Sequence, residues 1–351
     1  MDLRQIMEEK ERKKLKETER AEGADLMETK EKPCILATIG QEGIYKCFAS
    51  CIEKHFTIIN SDTFVQEREL LVHKIQAIFV LGQSIKVDHS LLQSLPKLKV
   101  VVNGGVGVDH LDIPLINSFG VKVCNTPHVV DNATADIGMG LMLASARKLV
   151  QGHNFSQYHE SESLLESLLG NDVSGATLGI IGMGRIGYKV AKRAQGFDMK
   201  ILYHNRHRRT EEEEKAVGAV YCEKMEELLK KSDFVMLVVN LSPQTQKLIG
   251  AKELAMMKPS STLINISRGL VVDQDALLDA LQRNIIKAAA LDVTYPEPLP
   301  RDHPLLSFPN VIVLPHMGTH TVETTRVKVE TMVINALATL NGEQPPNEVK
   351  I

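Results

Sequence analysis

The chain contains no tryptophan, and aromatic side chains make up only 4% of its 351 residues. No indole can therefore close a substrate pocket. Cysteine is also scarce. Cys34, Cys47, Cys51, Cys124 and Cys222 are odd in number, scattered, and contain no Cys-x-x-Cys pair. That pattern argues against a metal centre and reads as reduced, buried thiols in a cytoplasmic protein. No apolar run reaches the roughly 18 residues that a spanning helix needs, so no membrane partner is expected. An excess of one charge is missing as well. The 41 basic and 44 acidic residues leave a net charge of −3, and nothing points to nucleic acid.

What is present is a chain long enough for two domains, 43% hydrophobic, with material for two buried cores. Residues 1–32 stand apart, with nine basic and ten acidic residues and few apolar ones. A secretory signal needs an apolar centre and a mitochondrial presequence avoids acids, so this segment reads as a solvated, partly helical, disordered tail. From residue 33 onward short apolar segments alternate with helical ones. Strands are expected at 34–39, 55–59, 77–81, 98–103 and 121–124, with helices at 43–54, 64–74, 88–95 and 112–119 between them. A long helix rich in Ala, Gly and Met follows at 131–150. A polar stretch, 151–174, carries one amphipathic patch at 164–169. A second alternating run has strands at 178–181, 200–204, 219–222, 234–238, 262–266, 288–291 and 311–314, and a final helix spans 321–340. Strands alternating with helices mean parallel sheets. The fold class expected is α/β, with two Rossmann-like or flavodoxin-like doubly wound domains and a cleft between them.

The strand at 178–181 ends in Gly182-Met183-Gly184-Arg185-Ile186-Gly187, and a helical pattern follows. Gly-x-Gly-x-x-Gly between a strand and a helix predicts a dinucleotide site. Gly182 allows the tight turn, Gly184 lets the pyrophosphate approach the backbone, and Gly187 lets helix and strand pack closely. The helix N-terminus offers free N–H groups and a positive dipole end to the phosphates. The end of the next strand selects the nucleotide. An acid there binds the ribose 2′-hydroxyl, whereas arginine accommodates a 2′-phosphate. Here Asn205 replaces the acid, and Arg206, Arg208 and Arg209 follow. Guanidinium groups suit a phosphate, so NADPH is the preferred cofactor, with NADH possible. The alternative is a solvated basic loop balanced by the acids at 211–214. The domains are expected at 33–129 with 322–351 for the substrate, and at 130–321 for NAD(P).

Three further stretches carry chemistry: Ile264-Asn265-Ile266-Ser267-Arg268-Gly269, Leu291-Asp292-Val293-Thr294-Tyr295-Pro296-Glu297-Pro298, and Leu314-Pro315-His316-Met317-Gly318-Thr319. Arg268 and His316 follow strands directly, on the side where open α/β sheets bind ligands. Together with the glycine motif, and with Asn103-Gly104-Gly105-Val106-Gly107-Val108-Asp109, these closely resemble the D-isomer-specific 2-hydroxyacid dehydrogenase family. The resemblance covers residues 33–341, and the spacing of Arg268, Glu297 and His316 agrees with it. Within the family the motifs look most like animal glyoxylate/hydroxypyruvate reductases.

The resemblance implies reduction of glyoxylate to glycolate and of hydroxypyruvate to D-glycerate. Arg268, Glu297 and His316 would be catalytic. Arg268 would grip the substrate carboxylate, with backbone N–H groups of Val106 and Gly107 on its other side. His316 suits a general acid, because an unperturbed imidazole titrates near ~6.5. Glu297 would orient its ring. Asp292 would fix the nicotinamide carboxamide, and Asn240, Ile266 and Gly318 would line the cofactor. A homodimer is expected through the 131–150 helix and the segment after it. One departure concerns specificity. Some relatives insert an aromatic, often tryptophan, from a neighbouring subunit, and residues 160–172 contain no aromatic. This admits other 2-oxo acids, such as 2-ketogluconate, phenylpyruvate or pyruvate. A different class, a nucleotide-sensing corepressor-like binding protein, retains the same triad in some relatives. The arginines after Asn205 argue against it.

Overall fold

The computed structural model describes residues 31–40, 43–82, 84–158 and 166–350. Residues 1–30 of the charged tail lie outside the described residues, as do 164–165 of the amphipathic patch. Five strands form the first parallel sheet: β1 (Cys34–Ala37), β2 (Thr57–Asn60), β3 (Ile75–Val80), β4 (Val100–Asn103) and β5 (Lys122–Cys124), in the order β2-β1-β3-β4-β5. Seven form the second: β6 (Thr177–Ile181), β7 (Lys200–His204), β8 (Ala219–Tyr221), β9 (Phe234–Leu237), β10 (Thr262–Asn265), β11 (Ala288–Leu291) and β12 (Val311–Val313). Their order is β12-β11-β10-β9-β6-β7-β8. All the paired strands are parallel. The expected α/β class, with two doubly wound sheets, is observed.

The apolar runs read as strands because each sheet is covered on both faces. Along β3, Ile78 and Val80 enter one buried cluster while Ala77 and Phe79 enter the other. Along β9, Met236 faces one core and Val235 and Leu237 the other. Neighbouring residues of a strand point to opposite faces, so both must be apolar.

The helices that position the site are α1 (Lys46–Glu53), α2 (Asp131–Ala146), α3 (Arg185–Ala194), α4 (Glu211–Val217) and α5 (Val322–Leu340). The helix expected at 131–150 is interrupted. It ends at Ala146 and resumes as Leu149–Tyr158, with Lys148 between them at φ +50°. Its small residues have a packing reason. A Cβ on Gly138 would lie 2.9 Å from both Ile266 Cδ1 and Met236 Sδ, so α2 rests directly on the second sheet. The final helix, α5, is capped by Thr321, which accepts from Thr324 N–H. It returns to the first sheet, where Val329, Met332, Val333 and Ala336 join the core beneath β1, β3 and β4. Val349 N–H then donates to Val123 O at 2.8 Å, which ties the C-terminal segment to β5.

Candidate active site

Every loop that carries a predicted site residue leaves the C-terminal end of a parallel strand. In the second sheet the order reverses at β6 and β9, and dinucleotides bind at such a switch point. The turn after β6 is built for close backbone contact. Gly182 has φ +103°, and a Cβ there would fall 2.7 Å from the Val238 backbone. A Cβ on Gly187 would lie 2.3 Å from Gly182 O. Gly184 differs from both: nothing lies within 4 Å of its Cβ position, so the backbone faces open space at the start of α3. No side chain caps that helix. An uncapped N-terminus facing an open glycine fits a pyrophosphate. Arg185 turns aside, its Nε 3.1 Å from Asp131 Oδ2, and Ile186 is half-buried.

The loop after β7 divides the predicted cationic cluster. Asn205 pairs with the glycine turn, accepting from Met183 N–H at 2.6 Å and donating to Met183 O at 3.3 Å. Arg208 grips Glu214 at 2.9 and 2.7 Å, and that carboxylate also accepts from the Tyr203 hydroxyl. The pair holds the Glu214 carboxyl down to about 2. Arg209 donates to Met183 O and pairs with Glu213. Arg206 is exposed and has no ion-pair or hydrogen-bond partner among the described residues. The alternative of a basic loop balanced by the 211–214 acids therefore describes Arg208 and Arg209, and Arg206 remains.

In the first sheet, the loop after β4 turns its carbonyls inward. Asn103, 2% exposed, donates to Gly105 O and Gly107 O at 3.0 and 2.9 Å. Asn125 donates to Val106 O at 2.9 Å, and Thr126 N–H to Gly105 O at 3.1 Å. Among the described residues the N–H groups of Val106 and Gly107 have no acceptor. Arg268 reaches this loop from the end of β10. Its Nε pairs with Asp109 at 3.0 Å and its Nη1 donates to Ser267 O. The remaining nitrogen, Nη2, lies against Gly107: a Cβ there would fall 1.8 Å from it. Gly107 is therefore a steric requirement for the position of Arg268. Asn103, Asn125 and Asp109 were not assigned roles from sequence. The only signal for Asn103 and Asp109 was their place at the two ends of the glycine-rich loop, and Asn125 had none.

His316 follows β12 with φ +53°, and its Nδ1 lies 2.8 Å from Glu297 Oε2. The other Glu297 oxygen accepts from Thr294 N–H at 3.1 Å. Gly269, next to Arg268, abuts the same segment: a Cβ on it would lie 2.0 Å from the Thr294 carbonyl. Arg268 and the His316–Glu297 pair are thus joined through one packed turn. Asp292 fixes the other side of His316. Its backbone oxygen accepts from His316 N–H, and its carboxylate accepts from Met317 and Gly318 N–H at 2.8 and 2.9 Å. Asp292 is 2% exposed, and burial raises its pKa against the pull of these donors. Ile266 and Gly318 are buried beside this segment, whereas Asn240 is exposed after β9.

This site, with an open glycine turn at a sheet switch point and an arginine and histidine at the ends of β10 and β12, defines a nicotinamide-dependent oxidoreductase. The family described as D-isomer specific 2-hydroxyacid dehydrogenase, NAD binding domain, matches residues 139–318. A glyoxylate reductase of Thermococcus litoralis is 42% identical over 306 residues, 85% of this chain and 92% of that protein. A glyoxylate/hydroxypyruvate reductase B of an Enterobacter species is 41% identical over 303 residues, covering 84% and 92%. Among solved structures, the NADPH-dependent glyoxylate/hydroxypyruvate reductase of Sinorhizobium meliloti, in complex with NADP and malonate, superposes with a TM-score of 0.78 at 29% identity, covering 91% of this chain and 97% of that one. The chain belongs to the D-isomer-specific 2-hydroxyacid dehydrogenase family.

Proposed function

We propose that the chain is an NADPH-preferring reductase of small 2-oxo acids, acting on glyoxylate and hydroxypyruvate. The observation that carries this is the chain of contacts from the open Val106–Gly107 amides through Arg268 and Gly269 to Glu297 and His316. A 2-oxo acid offers a carboxylate and a carbonyl oxygen. The two amides and Arg268 Nη2 suit the carboxylate, because the other Arg268 nitrogens are already occupied. A carboxylate only accepts, so His316 Nδ1 carries the proton toward Glu297, and Nε2 is left to protonate the carbonyl oxygen. His316 is 45% exposed at its side chain, so water can return the proton. When bound, the reduced nicotinamide supplies the hydride that completes the reduction. Gly182, Gly184 and Gly187 with the N-terminus of α3 would hold its pyrophosphate, and the free lone pairs of Asp292 its carboxamide.

The preference for NADPH is supported by the absence of an acid at Asn205 and by the unpaired Arg206. The names of the relatives support the substrates. The test is a panel of 2-oxo acids with NADPH and NADH in turn. Consumption of NADPH with glyoxylate and hydroxypyruvate, faster than of NADH, is expected. Tight cofactor binding with no turnover of any 2-oxo acid would overturn the proposal in favour of a nucleotide-sensing protein.

A further inference from the structure

Lys328 lies on α5 and is 5% exposed. Its ammonium donates to Thr319 Oγ1 at 3.0 Å, and no carboxylate lies within ion-pairing distance of it among the described residues. Burying an ammonium without a counter-ion is costly, and a buried, perturbed group of this kind beside a site is a candidate for function. The mechanism above makes no use of it. Its place is nevertheless at the site. Thr319 is the third residue after His316. Met332, one turn further along α5, puts its Sδ 3.0 Å from the point a Cβ on Gly104 would occupy, so the same helix face runs beneath the start of the substrate loop.

The corner is completed by a polar contact between the start of α1 and the loop before α5. The Tyr45 hydroxyl lies 3.4 Å from His320 Nδ1, with the rings edge to face and their centroids 5.9 Å apart. Burial, then Lys328, then His316 hold the His320 pKa below its ordinary value. Its imidazole is thereby biased toward the neutral form. Burial brings Lys328 down to about 8, which leaves it mostly charged at that pH. One cation, two hydroxyls and an imidazole thus gather beside the turn that follows His316 and the helix that runs beneath the start of the substrate loop.

We propose that Lys328, with Tyr45, Thr319 and His320, forms a distal subsite for a second carboxylate, so that the chain reduces 2-oxo dicarboxylates of four or five carbons. A single ammonium balances one negative charge, which favours a carboxylate over a phosphate dianion. The proposal rests on the reductase reading above, and matched substrates separate the two. Oxaloacetate is compared with 2-oxobutanoate, and 2-oxoglutarate with 2-oxopentanoate, since each pair differs in the distal carboxylate against a methyl group. The wild type is expected to favour the dicarboxylate of at least one pair by about tenfold or more in kcat/KM. In K328M that ratio falls to near one, and K328R retains part of it. In the wild type with NADP+, succinate raises the melting midpoint more than butyrate does, and K328M loses the difference. A 3-phospho-2-oxo acid preferred over both dicarboxylates would overturn the carboxylate assignment. Equal rates within both pairs in the wild type, with glyoxylate still reduced, would overturn the subsite and leave the reductase standing. No turnover of any 2-oxo acid, glyoxylate included, would overturn both.

Discussion

At the scale of single residues, the site depends on what is missing from Gly107 as much as on what Arg268 carries. A methyl group at Gly107 would occupy the position of Arg268 Nη2. G107A is therefore expected to displace the guanidinium and lower kcat/KM for glyoxylate by about 10- to 100-fold, the worth of one or two charge-assisted hydrogen bonds. Cofactor affinity should be unchanged. Equal kinetics in G107A and wild type would show that Arg268 is not the carboxylate anchor. Arg206 is the analogous residue on the cofactor side, because Glu214 and Glu213 hold its neighbours. R206A should reduce kcat/KM with NADPH by about tenfold while leaving NADH nearly untouched. A uniform loss with both cofactors would assign Arg206 to something other than a 2′-phosphate.

At the scale of elements, two devices set the geometry: the glycine turn into α3, and the clamp of Asp292 on the His316–Gly318 segment. G187A would push a methyl to 2.3 Å from Gly182 O and force α3 off the strand. Loss of cofactor binding and a lower melting midpoint are expected together. A variant that melts normally and binds NADPH normally would refute the close-approach role. D292N keeps an acceptor for one of the two amides only, so the segment loosens and kcat falls, a change to be read as broadened His316 ring signals in NMR. Sharp, unshifted signals would contradict the clamp. The glycine turn was legible in the sequence because strand, glycines and helix are contiguous. The partition of the arginines was not. Pairing of Arg208 with Glu214 and of Arg209 with Glu213 depends on how α4 starts, and Thr210 and Glu213 form a capping box there. Composition offers both outcomes; the cap geometry decides between them. The break at Lys148 was not legible either, since no Gly or Pro marks it.

At the scale of the whole molecule, the two sheets were legible because both faces of each are buried, which forces continuous apolar runs. The long-range contacts were not. The approach of Arg268 to Asp109 and of Tyr45 to His320 joins residues far apart in the chain, and no local pattern encodes them. The burial of Lys328 on α5 leaves a mark on global stability. Unfolded, it titrates near 10.5, and folded at about 8. Between these values the unfolded chain binds one proton more, so this group makes stability rise with pH across pH 8 to 10.5, by about 3 kcal/mol in total. Below pH 8 its full cost is present. Urea midpoints from pH 7 to 10 should therefore climb in the wild type relative to K328M, with K328M the more stable at pH 7. Parallel curves would contradict a buried charged lysine. In the proposed function all these parts serve one event, the passage of a proton from His316 Nε2 to the carbonyl oxygen of a 2-oxo acid whose carboxylate Arg268 holds. The most direct measurement is kcat for glyoxylate in H316N beside the NADPH dissociation constant of the same variant. A loss in kcat of about 100-fold or more is expected, in the range of general-acid catalysis, with NADPH affinity retained. An unchanged kcat in H316N would contradict this proton transfer.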